Sequence, residues 1–450
     1  MKPQKAAGFQ SLNEGIGVFN AKEKHLLIPQ MNRNVSHLFA GALRSFDIHA
    51  RVLETCRDLD LGREYTSGKE CLPCLITTSD ILYFLKKERN RLGEDFNPDN
   101  YIYCMPESDG PCRFGMYNKY QRIVLDSFPE LRGVKIGSLT SRDGYSLDGM
   151  LEGESIWKFR KAAYFGILVG DILNRIAWRI RPYEIEEGLT DQFIERSMRV
   201  IADSFEANGS ENNFDRILDH VEEIIEEGKT IIDPAIQRKP LVGVVGEIFI
   251  RSQNEANQDL VKTLERHGAE VVVASISEWV NYTSYNRMRD ARTDLRLNIK
   301  QLRPRQVIRN LKSIFDFGKN FYYQQFMQTR SYKRLRSSID IAEDHKVAHL
   351  EKMLDREDVF SFDVGTEACL SISGLIAYAG QGFNGVVNVY PFTCMPGTVT
   401  SSIAKPLMNR YRVPYLDTPC DTGLQPGREG TVRTFMYQVY QHFKRNGRKN

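Results

Sequence analysis

An α/β protein with two parallel-sheet domains and helical insertions is what this sequence predicts, and three observations predict it. Two strand, helix, strand patterns lie far apart in the chain: 26–28, 35–46 and 50–53 form the first, and the run bounded by Pro240 and Gly246 within KPLVGVVGEIFI (239–250), then 256–267 and 270–274, form the second. Strands buried on both faces of a parallel sheet read as unbroken apolar runs, as the run between Pro240 and Gly246 does. Between the two patterns, over about 153–228, Ala, Ile, Leu, Arg and Glu recur at helical spacing.

The remaining elements follow in order. Helical spacing recurs at 79–88 and 112–125, a strand is expected at 134–136, and the first domain is expected to end near residue 145. A helical region fills 275–354, with Tyr and Arg abundant around 321–335. The α/β pattern then returns with a buried strand at 385–390, a helix at 399–410, a short strand at 413–416, the turn PYLDTPCDTG and a last helix at 431–444. The expected organisation is an N-terminal α/β domain with cysteine loops (1–150), a helical linking segment (151–238) and a C-terminal α/β domain (239–450) with a helical insertion at about 275–355.

Composition narrows the function. A chain of 450 residues with 41% apolar content exceeds one ordinary core and supports two or three. The formal charge of +3 comes from balanced acids and bases with no long basic block, which argues against nucleic acid and against an anionic membrane surface. MKPQKAAGFQSLNEG carries no apolar stretch of signal-peptide length, and no run of about 18 uncharged apolar residues occurs, so a cytoplasmic protein is expected. Thiols stay reduced there. The eight cysteines therefore read as metal ligands, redox groups or small core residues rather than a disulfide framework.

Four cysteine segments fall where loops are expected: GKECLPC, CMPESDGPCRFGMY, VYPFTCMPGTVTSS and LDTPCDTG. Cys71 and Cys74 form a C-x-x-C, a spacing equally suited to a zinc half-site, a dithiol redox pair or part of a cluster site. Cys112 precedes Arg113, whose cation would lower a thiol pKa or offset thiolate charge. Cys104 either joins it or fills the core. Cys394 follows a buried strand and precedes a Pro-Gly turn and a helix, where free backbone N–H groups favour negative charge. Cys56 and Cys369 read as core residues. Gly243 and Gly246 lack the dinucleotide fingerprint and mark close packing instead. Glu247, Arg251, Gln253 and Asn254 follow the strand at the carboxyl edge, as ligand groups or as helix caps, and Glu367 is a cleft carboxylate or a helix-start acid. The Arg and Tyr cluster over 322–336 reads as a solvated helix face or a docking face for a partner. There is no P-loop.

Taken in order, GKECLPC, GPCRFGMY, GEIFIRSQNEANQDLVKTLERHGAEVVVASISEWV, VNVYPFTCMPGTV and the late FMYQ resemble successive motifs of the family that contains the 2-hydroxyacyl-CoA dehydratase component. The same family holds the C-terminal region of the large CoA-enzyme activase proteins and the double-cubane cluster proteins. The resemblance covers about residues 26–440, and GPCRFG and CMPGT are its specific parts. It implies two Rossmann-like or flavodoxin-like domains with an iron-sulfur cluster, [4Fe-4S] or double-cubane, between them. It implies Cys71, Cys112 and Cys394 as first ligands, with Cys74 and Cys420 as further ones; three thiolates would leave one iron open. It also implies single electrons from an ATP-hydrolysing activator of the actin and sugar-kinase superfamily, used on a CoA thioester or small molecule, and a homodimer or a heterodimer with a related subunit. Cys420 before Asp421, and Thr431 and Arg433 before FMYQ, depart from the family pattern. Competing expectations are a non-catalytic iron-sulfur electron carrier and a structural zinc site at Cys71 and Cys74.

Overall fold

A computed structural model describes residues 12, 14–56, 59–67, 69–108, 110, 112–140, 151, 153–423 and 425–448. The first domain's expected end near residue 145 lies outside them. The chain is mixed α/β with two sheets, of five and four strands. It clusters into two compact units: the described residues up to Gly170 with Met198–Ile217 and Cys420–Gly423, and Asp171–Ser197 with Leu218–Pro419 and the described residues from 425 onward.

In the first unit, β1 (Ile16–Gly17), β2 (His25–Pro29), β3 (His49–Leu53), β4 (Tyr101–Cys104) and β5 (Lys135–Gly137) form a parallel sheet of order β1-β5-β4-β2-β3. Side chains alternate across its faces: Leu27, Tyr101 and Tyr103 join one core cluster, and Leu26, Ile28 and Ile102 join another. The helices are α1 (Arg33–Arg44), α2 (Asp60–Tyr65), α3 (Leu72–Leu92) and α4 (Tyr117–Asp126). Asn32 caps α1, its side chain accepting the Val35 N–H at 3.1 Å. β4 is a strand that the sequence reading passed over. Its four residues are too short a run for alternation to register, and Cys104 ends it rather than lying in a loop.

The helical stretch contains α5 (Glu154–Ile180), α6 (Leu189–Asn208) and α7 (Phe214–Lys229). The residues of these helices are divided between the two units. No helix of the described residues is long and apolar enough to cross a membrane.

The second unit's sheet is β6 (Leu241–Gly246), β7 (Glu270–Val273), β8 (Gly385–Pro391) and β9 (Tyr415–Cys420), in the order β7-β6-β8-β9. Around it lie α8 (Ile248–Ser252), α9 (Leu260–Arg266), α10 (Ile276–Lys300), α11 (Pro304–Leu335), α12 (Val347–Glu357), α13 (Glu367–Gly380), α14 (Met395–Tyr411) and α15 (Arg428–Asn446). The strand expected between Pro240 and Gly246 is β6, and it ends at Gly246, whose φ of +129° and close approach to the Val389 carbonyl exclude a side chain. Two expectations are corrected. The helix of 256–267 begins only at Leu260, because Gln258 and Asp259 are left-handed (φ +58° and +53°). The turn PYLDTPCDTG is extended as far as Cys420, pairing with β8 and alternating in burial.

The sheets repeat one winding. β2 lies between β3 and β4, and β6 lies between β7 and β8, so the chain leaves each of these strands in opposite directions. Such switch points open a crevice at the carboxyl ends of the strands. Both units carry their cysteine motifs at or near those ends.

Candidate functional site: cysteines at helix starts and a buried carboxyl pair

Cys71, Cys112 and Cys394 each occupy a helix N-cap. Cys71 precedes α3 with Pro73 in the first turn, and Cys394 precedes α14 with Pro396 in the same place. Proline fits there because its missing N–H has no helical partner to lose. Cys112 caps the short 3-10 helix Arg113–Met116, its Sγ accepting the Phe114 N–H at 3.5 Å.

Both longer motifs store backbone strain. Cys71 has φ +95° and ψ 144°, and Thr393, directly before Cys394, has φ +64°. Non-glycine residues in such regions cost about 1–3 kcal/mol each and concentrate at functional sites.

The first unit gathers three of the four motifs. Arg113 Nη1 donates to the Lys69 carbonyl at 2.6 Å, tying the Cys112 loop to the segment that leads into Cys71. The Tyr120 hydroxyl donates to the Tyr65 carbonyl, which fixes α4 against the end of α2. Arg63 Nη2 donates to the Thr422 carbonyl at 3.2 Å, and Cys420–Gly423 belongs to this unit. Cys71 and Cys112 are half-buried, whereas Cys420 is buried. Cys394 is buried and belongs to the second unit.

Cys74 has a different environment. It is fully buried in the core with Leu27, Ile81 and Tyr103, and burial pushes its thiol up to about 12, against a hydrogen bond with Thr78 that lowers it. Thr77 and Thr78 bond back to the first turn of α3, and Gln121 donates to Thr77 Oγ1 at 3.0 Å. The second cysteine of the C-x-x-C is therefore held as a protonated core residue. Cys104 is likewise pushed up to about 12 by burial and packs on the opposite face of the sheet. Cys56 follows β3, its N–H held by Asp80 Oδ1 at 2.7 Å. Cys369 lies in the core of the second unit.

At the carboxyl end of β6, Glu247 caps α8 through the N–H groups of Phe249 and Ile250 (3.1 and 2.9 Å), and Glu367 accepts the Ile248 N–H at 2.8 Å. Arg251 is spent on three carbonyls, those of Gly246, Ala274 and Ser275, which staple the ends of β6 and β7. Burial, and then the Glu247 charge, push the Glu367 carboxyl up to about 8, and burial raises Glu247 as well. A carboxylic acid that keeps its proton at neutrality can donate it. Sequence reasoning noted the two glutamates singly. Their separation of 120 positions hides the pairing, and the one available signal was that each lies at the start of a helix beside a buried strand.

A second buried network was missed. Asp171 accepts the N–H groups of Ile276 and Ser277 (3.2 and 2.7 Å), and Arg175 pairs with Asp344. The signal was present as two charges four residues apart inside the apolar stretch of α5.

Among the described residues, no three Cys, His, Asp or Glu side chains stand close enough to close on one metal ion. Cys71 and Cys112 are half-buried thiols at helix starts of the first unit, and Arg113 directly follows Cys112. No protein-family model and no curated protein matches the chain.

Proposed function

We propose that this chain is an iron-sulfur protein of the 2-hydroxyacyl-CoA dehydratase type, with Cys71 and Cys112 as cluster ligands and Cys420 as the further thiol of the same unit. The observation that carries the reading is the Arg113–Lys69 bond, which joins the two cysteine motifs across 44 positions of sequence. Cys74, protonated in the core, is left out of the ligand set. When bound, such a cluster supplies one-electron transfer at low potential. The roles of the chain's own residues follow from their positions: Cys71 and Cys112 present thiolates at helix starts, Arg113 offsets their charge, and Glu367, paired with Glu247, holds a proton at the carboxyl edge of the second sheet. Cys394 takes the equivalent N-cap position in the second unit.

The low-potential electron would come from an ATP-hydrolysing activator, and the acceptor would be a CoA thioester or a small molecule. Anaerobic purification with iron, sulfide and zinc analysis, and EPR of the dithionite-reduced protein, tests the reading. Iron and sulfide in wild type, lost in Cys71→Ala and Cys112→Ala, support it. Metal-free protein, or zinc unaffected by either change, overturns it.

A further inference from the structure

At the amino-terminal edge of the second sheet, where Leu241 opens β6 and Glu270 opens β7, lies a cavity of about 130 Å³. Glu247 and Cys394 stand at the other end of these strands, so the cavity is separate from that edge. Its polar lining is Arg175, Arg179, Arg238, Glu270, Asp340 and Arg448.

Three of the four arginines are matched by acids. Arg448 forks onto Glu270 with two bonds of 2.8 Å, Arg238 pairs with Asp340 at 3.0 Å, and Arg175 pairs with Asp344. Arg179 is the exception. Its guanidinium lies 5.1 Å over the Tyr183 ring, and among the described residues no carboxylate pairs with it within 4 Å, Glu270 and Asp340 acting on its charge only from farther off. Nε of Arg179, and Nε and Nη1 of Arg175, have no hydrogen-bond partner in the protein, although Arg175 is only 4% exposed. Buried donors on a cation are costly to leave unmatched. A guanidinium fork suits the oxygens of an anion, and an anion would also balance the excess charge of Arg179. The volume is several times the roughly 10–15 Å³ that one water needs and well short of the roughly 300–1,000 Å³ of a drug-sized site.

We infer that this cavity is a binding site for a small oxyanion of phosphate size, held by Arg175 and Arg179 with Arg238 at its rim. The site is independent of the cysteine motifs, so it stands or falls apart from the proposed cluster. Titration calorimetry of the full chain with inorganic phosphate, at constant ionic strength set by sodium chloride, tests it. Saturable binding of one phosphate is expected, weakened about tenfold or more in Arg179→Gln, the loss expected for a charge-assisted bond. Arg238→Gln, at a side chain 39% exposed, serves as the second variant if the first fails to fold, with the same weakening expected. No saturable binding beyond chloride, or binding undiminished in the folded variant, overturns the inference.

Discussion

Glu247 and Glu367 hold the same turn of backbone: Glu367 accepts the Ile248 N–H, and Glu247 accepts the next two, from Phe249 and Ile250. Two carboxyl groups in one buried place cannot both ionise cheaply, so a proton is retained. Glu367 is raised from 4.5 to about 8, which means that the folded chain binds its proton more tightly than the unfolded one. Its stabilising contribution is complete below about pH 4.5 and is lost as pH rises through about 8. Glu367→Gln keeps an oxygen for the Ile248 N–H and removes the titration. Urea unfolding at pH 5 to 8.5 should show wild-type stability falling more steeply than that of the variant, by on the order of 2 kcal/mol across the range. Parallel profiles would mean that Glu367 is ionised throughout.

The two cysteines of the C-x-x-C should behave as different residue types. With the cluster removed, Cys71 and Cys112 should be alkylated by iodoacetamide at pH 8, while Cys74 and Cys104, both pushed up to about 12, should stay unmodified until the chain unfolds. Cys74→Ala should cost about 1–2 kcal/mol through the space it leaves, with iron content unchanged. Peptide mass spectrometry and iron analysis read both outcomes, and iron lost in Cys74→Ala would return that thiol to the ligand set.

The CMPGT motif contains a packing constraint separate from its cysteine. A Cβ on Gly397 would lie 2.4 Å from Cγ of Tyr390, so the first turn of α14 can sit on β8 only without a side chain there. Tyr390 has little freedom to move, since its hydroxyl donates to Asp417 Oδ2 at 2.7 Å and accepts from Ser401 at 2.9 Å. Gly397→Ala should therefore destabilise the protein by about 1–3 kcal/mol, seen as a lower urea midpoint with unchanged slope. A midpoint equal to wild type would show that α14 shifts freely.

Long buried strands were the most legible part of the sequence. β6 and β8 are buried along their whole length, and the apolar run of β6, unbroken from Leu241 to Gly246, announces that state without tertiary context. The start of α9 was less legible, because it is set by backbone geometry: the left-handed pair Gln258 and Asp259 is not encoded in hydropathy. β9 was misread for another reason. Its alternation is intermediate and buried, and Pro419 and Asp417 gave the segment the composition of a turn. At the candidate site, the sequence read Cys394 just before a helix and Cys71 in a loop ahead of a helix from about Ser79, whereas that helix begins at Leu72 and Cys71 is its N-cap. Spacing could not separate Cys74 from Cys71. That distinction depends on which side of the first helical turn faces the core.

Arg113 should matter for the metal and hardly at all for the fold. Its bond to the Lys69 carbonyl is exposed, and exposed interactions of this kind change stability by no more than about 0.5 kcal/mol when lost. The same bond fixes the Cys112 loop against the segment leading into Cys71, and Arg113 directly follows Cys112 in the chain, so on the proposed reading two thiolates brought together lose positioning and a neighbouring cation without it. Arg113→Gln should unfold like wild type yet carry about half the iron, and should lose the remainder to a chelator several-fold faster. Arg113→Lys should fall between the two, since lysine restores the charge but not the planar fork. Iron analysis with chelator-release kinetics makes the measurement. Release as slow as wild type in Arg113→Gln, alongside iron loss in Cys112→Ala, would mean that the loop is fixed by other contacts and that Arg113 serves only the surface.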